Sequence, residues 1–403
     1  METYADRLQI AARPVVPILN PGSEFSDQVR RFQGIPAIEQ APCGRLWATW
    51  YGGGEGEDEF NYVLLATSAN QGERWSDPVL VIDPPGQVRA FDSVLWMDPN
   101  GKMWLFWTQS WTRWDGRAGV WAITTDHPEG PDPIWSEPRR LCDGVMLNKP
   151  ITLATGEWIL PVSFITPGTL KHPNWQGVEI TPEEWNFIEE RSGAWVVSST
   201  DSGRTFQLRG GGKVPMEDRC HNEHMIIERE DGSLWMLIRT TYGIAESVSE
   251  DKGFTWSDPV RSTIPHTHSR FFIRRLQSGR LLLVKHDVPT DESRPSPKVR
   301  SHLTALSSKD DGRTWPESLV LEEGLCSYPD GIQSSDGTLF VTYDSERRGA
   351  KKILLARFRE EDILAGSFVS PNARKRLLIN QAFGATTTAD DPMDDPMDDP
   401  TKI

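Results

Sequence analysis

The 403-residue chain has only four cysteines, Cys43, Cys142, Cys220 and Cys326, and they stand far apart. No Cys-x-x-Cys pair occurs, so the spacing predicts free thiols and neither a zinc site nor a redox motif. No cofactor and no metal are expected. No run approaches the ~18 apolar residues of a membrane helix, and a membrane is not an expected partner. Basic residues are outnumbered, 43 against 58, for a net charge of −15. Such a surface repels a phosphate backbone and argues against nucleic acid. The opening Met1-Glu2-Thr3-Tyr4-Ala5-Asp6-Arg7 lacks the basic and apolar stretches of a secretory leader. The expectation is therefore a cytoplasmic protein. Long helical periodicity is scarce, which turns attention to strands.

Tryptophan and glycine are abundant, with 17 and 33 residues. A turn followed by an apolar run recurs six times. It starts at Gly44, Gly101, Gly156, Gly232, Gly279 and Gly337, as in Gly232-Ser233-Leu234-Trp235-Met236-Leu237-Ile238. Glycine after a polar residue suits a hairpin turn with positive φ. A continuous apolar run suits a strand covered on both faces. The glycines lie 57, 55, 76, 47 and 58 residues apart, which predicts an all-β, six-bladed propeller of about four strands per blade. The long third interval contains Thr181-Pro182-Glu183-Glu184-Trp185, the start of a short capped helix within an insertion. Lys352–Phe358 is expected to pair with an N-terminal strand near Val15–Leu19 and so to close the ring. The propeller is assigned to residues 1–383. Residues 384–403, with their Pro-Met-Asp-Asp repeats, read as an acidic disordered tail.

A second repeat is more specific. Ser199-Thr200-Asp201-Ser202-Gly203-Arg204-Thr205-Phe206 recurs from Ser249 to Trp256 and from Ser308 to Trp315, with a weaker copy from Ser68 to Trp75. The acidic or amide side chain caps a turn, glycine takes the left-handed position and the aromatic plugs the blade. This S-x-D-x-G-x-T-W pattern is the Asp-box, a structural element of the blade rim. Three good copies in phase with the strand repeat resemble the sialidase superfamily of six-bladed propellers.

That resemblance implies a set of site residues. Asn222-Glu223 through Asp231-Gly232 to Arg239 matches the sialidase stretch N-E-x-x-x-x-E-x-x-D-G-x-L-x-x-x-x-R. It places Glu223 as the base beside a nucleophile and Arg239 in the carboxylate-binding arginine triad. Tyr328, eight residues before Asp336, occupies the nucleophile position. Arg300, before the last Asp-box, fits the third triad arginine. A tyrosine nucleophile suits an anomeric carbon bearing a carboxylate, because a neutral group escapes the repulsion an Asp or Glu would meet. Guanidinium groups suit the carboxylate itself.

The sequence departs from the pattern at two points. In Phe32-Gln33-Gly34-Ile35-Pro36, Gly34 stands where sialidases carry the first triad arginine. Lys149 is the candidate replacement cation. The proton donor also departs from the pattern. The offset eleven residues before Ser68 falls on Glu57, in the acidic Gly-rich loop Gly52–Glu59, and Glu57 or Asp58 is the expected acid. Asp92 supplies a further carboxylate. His221, beside Glu223, and Arg270 suit a different chemistry, that of lyases or rhamnosidases of uronate-bearing glycans. The leading expectation is an exo-glycosidase removing a terminal acidic sugar from an oligosaccharide or acidic glycan. A uronate-directed lyase or rhamnosidase and a non-catalytic glycan-binding propeller are the alternatives.

Overall fold

The computed structural model describes residues 4–165, 190–288 and 299–385. The strands form six antiparallel sheets, five of four strands and one of five, each running in sequential order from the axis outward except for one N-terminal strand added at the outer edge of the five-stranded sheet. This is a six-bladed propeller. The innermost strands are Gln33–Gln40, Val88–Met97, Ile151–Thr152, Arg219–Glu228, Phe272–Arg275 and Cys326–Gln333. Those of blades 2 and 6 flank that of blade 1. The six repeated turns are the hairpins between the first and second strands of the blades. The second strands, such as Leu46–Gly52, Met103–Trp111 and Leu339–Ser345, are buried along their whole length. Their continuous apolar pattern follows from neighbours on both faces. The core accordingly lies between blades: one cluster joins Met225, Leu237, Phe272, Leu283 and Val341 across blades 4, 5 and 6.

The Asp-boxes take the expected form. Ser199 Oγ donates to Asp201 Oδ1 at 2.9 Å and accepts from Gly203 N at 2.9 Å. Asp201 Oδ1 also accepts from Thr205 N at 2.9 Å. Gly203 has φ 78°, and a Cβ there would lie 2.4 Å from the Trp158 ring. Both conformation and space therefore require glycine.

Ring closure differs from the sequence expectation. Lys352–Phe358 is the third strand of blade 6, between Leu339–Ser345 and Arg374–Gln381. The N-terminal strand Ile18–Leu19 instead adds to the outer edge of blade 1, against Leu80–Ile82. The C-terminal segment supplies the outer strand of its own blade, so nothing is left for the N-terminus to complete. Blades 1 and 6 are joined by side chains: Ile35 N donates to Asp344 Oδ2 and Ile38 N to Asp330 Oδ2, both at 2.9 Å. The expected helix at Thr181 and most of the tail lie outside the described residues.

Candidate active site

Four inner strands share one irregularity. Their pairing with the second strand shifts register between Gly34 and Ala37, Phe91 and Val94, Arg219 and His224, and Ser327 and Asp330. At each shift a non-glycine residue has positive φ: Ile35 at 55°, Asp92 at 48°, Asn222 at 55° and Tyr328 at 54°. Such conformations cost about 1–3 kcal/mol each and gather where a side chain must be re-aimed. Ile35, Asp92 and Tyr328 thereby line one cavity at the axis, with Glu223 next to the fourth bulge. Phe91, Trp114 and Leu147 give the cavity apolar walls.

Arg239 organises the polar floor. Its Nη1 donates to both carboxylate oxygens of Glu223 at 2.9 Å and to the Tyr328 hydroxyl at 3.1 Å. Arg239 is fully buried, and Arg300 and Glu223 nearly so. The Arg300 guanidinium lies 5.5 Å from the centre of the Tyr328 ring, and Arg347 lies 4.9 Å from it. Three cations thus surround one phenol. Burial pushes the Tyr328 hydroxyl up, aided by the Glu223 charge and opposed by the three arginines. Burial also works against ionisation of Glu223, but Arg239 and His221 outweigh it and hold the carboxyl below its ordinary range.

Two further carboxyls facing the cavity are driven apart. Burial would raise Glu57, yet Arg347, Arg113 and Arg89 bring it down to about 2. Arg347 Nη1 meets Glu57 Oε1 at 2.8 Å. Asp92 is pushed up to about 7 by burial and by the Glu57 charge, with Arg89 opposing. At neutral pH Glu57 is a fixed anion, while a large fraction of Asp92 carries a proton.

The structure brings together Glu57, Asp92, His221, Glu223, Arg239, Arg300 and Tyr328. It leaves three expected residues elsewhere. Asp58 accepts from the backbone N–H groups of Glu55 and Gly56 through Oδ2 and of Phe60 through Oδ1. It holds the acidic loop in shape and does not line the cavity. Lys149 donates to the carbonyls of Leu95 at 2.5 Å and Ile38 at 2.6 Å, and approaches Glu39 and Asp330. It lines the opposite mouth of the axial channel, so it cannot replace the missing arginine. Arg270 is buried behind the cavity, 3.6 Å from Asp330 Oδ1.

Sequence reasoning missed Arg347, Arg89, Arg113 and Trp114. Arg347 stands beyond the nucleophile position on a blade-6 turn, where no motif points to it. It also missed a cluster beside Glu223. Cys220 Sγ lies 2.8 Å from His221 Nδ1 and also touches His268 Nε2. The His268 carbonyl accepts from Arg239 Nη2 at 3.4 Å and Arg300 Nη2 at 3.3 Å. The four cysteines are free thiols, as their spacing predicts.

A six-bladed propeller with Asp-box rims and a charged axial cavity defines the class of this protein. The BNR repeat-like domain model matches residues 44–341, and the chain belongs to that family. Among solved structures it is similar to the Hadza microbial sialidase Hz136, at 20% identity and a TM-score of 0.63. That match covers 82% of this chain and 66% of that longer one. It is similar to the intramolecular trans-sialidase of Ruminococcus gnavus, at 14% identity and a TM-score of 0.62, covering 88% and 99% of the two chains. A Dyadobacter fermentans protein of unknown function is alike at 16% identity and a TM-score of 0.60, over 84% of this chain and 95% of that one. At these identities the likeness is one of fold. No curated protein matches the chain.

Proposed function

We propose that this protein is a sialidase-like exo-glycosidase that releases a terminal acidic sugar from a glycan. The carrying observation is the shared contact of Arg239 Nη1 with Glu223 and the Tyr328 hydroxyl. In this reading Tyr328 attacks the anomeric carbon and Glu223 takes its proton. The phenol stays protonated until then, because burial and the Glu223 charge disfavour phenolate. Arg239 and Arg300 hold the substrate carboxylate, and Arg347 adds the third positive charge. Asp92, not Glu57 or Asp58, protonates the leaving oxygen, because it retains a proton near neutral pH while Glu57 is held ionised. Glu57 raises Asp92 by its own charge and anchors Arg347. Trp114 and Phe91 cover apolar faces of the ring and exclude water.

One observation favours a second reading, a lyase acting on a uronate. His221 lines the same cavity as Tyr328 and Arg347, and an imidazole or phenol base beside a neutralised carboxylate suits β-elimination. A screen of aryl glycosides and acidic polysaccharides separates the two. Chromophore release from an aryl sialoside supports the hydrolase. Ultraviolet absorbance from an unsaturated uronate supports the lyase. Silence in both arms overturns both and leaves a binding propeller.

A further inference from the structure

We propose that Cys220, His221 and His268 form a binding site for a zinc-type divalent transition metal at the edge of the axial cavity. The three donor atoms, one sulfur and two imidazole nitrogens, lie within 4.8 Å of one another. Thiolate and imidazole are the ligand types that select zinc and its neighbours over magnesium or calcium.

The backbone is shaped to make this cluster. Consecutive residues of a regular strand point to opposite faces. Here the register shift between Arg219 and His224, with Asn222 at φ 55°, puts the Cys220 and His221 side chains side by side. His268 arrives from the connection between blades 4 and 5, and two arginines grip its carbonyl. Such secondary contacts fix the orientation of a metal-binding histidine. The separation from Sγ to Nδ1 is 2.8 Å, against about 3.5 Å between ligands on a tetrahedral zinc. The Sγ contact with His268 Nε2 is closer still, so both contacts open by about 1 Å to admit the ion.

The charges allow a cation here. Of the two guanidinium groups on the His268 carbonyl, that of Arg239 is paired through Nη1 with both oxygens of Glu223. A thiolate then offsets one of the two charges of the metal. Three protein ligands leave a fourth position, and His221 lines the cavity, so that position faces the space where a sugar would lie. A water or a substrate oxygen completes the tetrahedron.

The proposal does not rest on the glycosidase reading, and its test reads metal rather than turnover. The full chain is stripped with a chelator, then titrated with zinc and, separately, with cobalt. The expected result is one equivalent of zinc per chain by elemental analysis. Cobalt should give the ligand-field spectrum of a tetrahedral ion with a thiolate charge-transfer band. Cys220→Ser should remove that band, and His268→Gln should weaken zinc binding by at least ~10-fold. Because Cys220 is buried, His221→Gln is the second variant, chosen for its partial exposure, and circular dichroism checks the fold of each. Failure of the wild-type chain to bind either metal overturns the proposal. So does a charge-transfer band unchanged in Cys220→Ser, which would assign the metal to another cysteine.

Discussion

Arg347 occupies the space in which a side chain on Gly34 would begin. A Cβ on Gly34 would lie 2.4 Å from Arg347 Cδ and 3.2 Å from Asp344 Oδ2. Gly34 is the position where the sialidase pattern carries an arginine, and Arg347 brings a guanidinium into that region from blade 6. In the proposed sialidase-like reading, the charge is retained while its point of attachment changes. Arg347 is held there by Glu57 at 2.8 Å and Asp344 at 3.5 Å.

This exchange predicts a reciprocal pair of variants. Arg347→Ala should raise KM for a carboxylate-bearing substrate by roughly 10–100-fold, the value of one charge-assisted contact. Gly34→Arg alone should destabilise the fold, because Arg347 is pinned in the way. The double variant should recover part of both losses. Steady-state kinetics and thermal unfolding measure the two effects, and a double variant no better than either single one would refute the exchange.

Tyr328→Phe should lower kcat by roughly 10³-fold or more, as removal of a nucleophile does. Stability should change little, since the hydroxyl makes one hydrogen bond and Glu223 keeps its contact with Arg239. Turnover close to wild type, with circular dichroism unchanged, would remove Tyr328 from the chemistry.

Asp92 sets the expected pH dependence. A proton donor at about 7 is active below that value and is lost as pH rises through it. The charges that act on it are those of Glu57 and Glu223, which raise it, and of Arg89 and, from behind the cavity, Arg270, which lower it. The activity profile should therefore have an alkaline limb near 7, and Asp92→Asn should abolish the limb along with most of the rate. Linkage adds a stability signature. Asp92 has a folded value above its unfolded one, near 3.9, so its contribution is fully present below about 3.9 and is lost as pH rises to about 7. Above about 7 the cost of ionising it approaches ~4 kcal/mol as an upper bound. Asp92→Asn should consequently stabilise the protein at pH 8 and matter far less at pH 4, which unfolding at the two pH values would reveal.

Two glycines of similar φ should respond differently to alanine. At Gly203 a Cβ would meet the Trp158 ring at 2.4 Å, whereas at Gly232, φ 82°, nothing lies within 4 Å. Gly232→Ala should cost about 1–2 kcal/mol, the left-handed penalty alone. Gly203→Ala should cost about 1–3 kcal/mol more, from overpacking between blades. Chemical denaturation of both variants checks the difference.

The blade count, the Asp-boxes and the turn-plus-strand repeat were legible in the sequence because each is local. A glycine at a hairpin and a serine, aspartate and threonine within seven residues act on their own neighbours. Glu223 and Arg239 were named from the resemblance to sialidases, in a stretch confined to one hairpin, and they meet on its adjacent strands at a separation of 16 residues. Composition and spacing do not say which residues of different blades share the axis; Tyr328, Arg300 and Asp92 were assigned to one site by the resemblance to sialidases alone. Lys149 and Arg347 are both basic residues near strand ends. Only the closed ring sends one to the far mouth of the channel and the other over Tyr328. Cys220 and His268 are 48 residues apart and belong to no spacing motif, yet a bulge and an interblade connection bring them into contact. Side-chain period and turn chemistry determine a blade from within. The cavity is a surface between blades, and its chemistry is decided by how six sheets pack around one line.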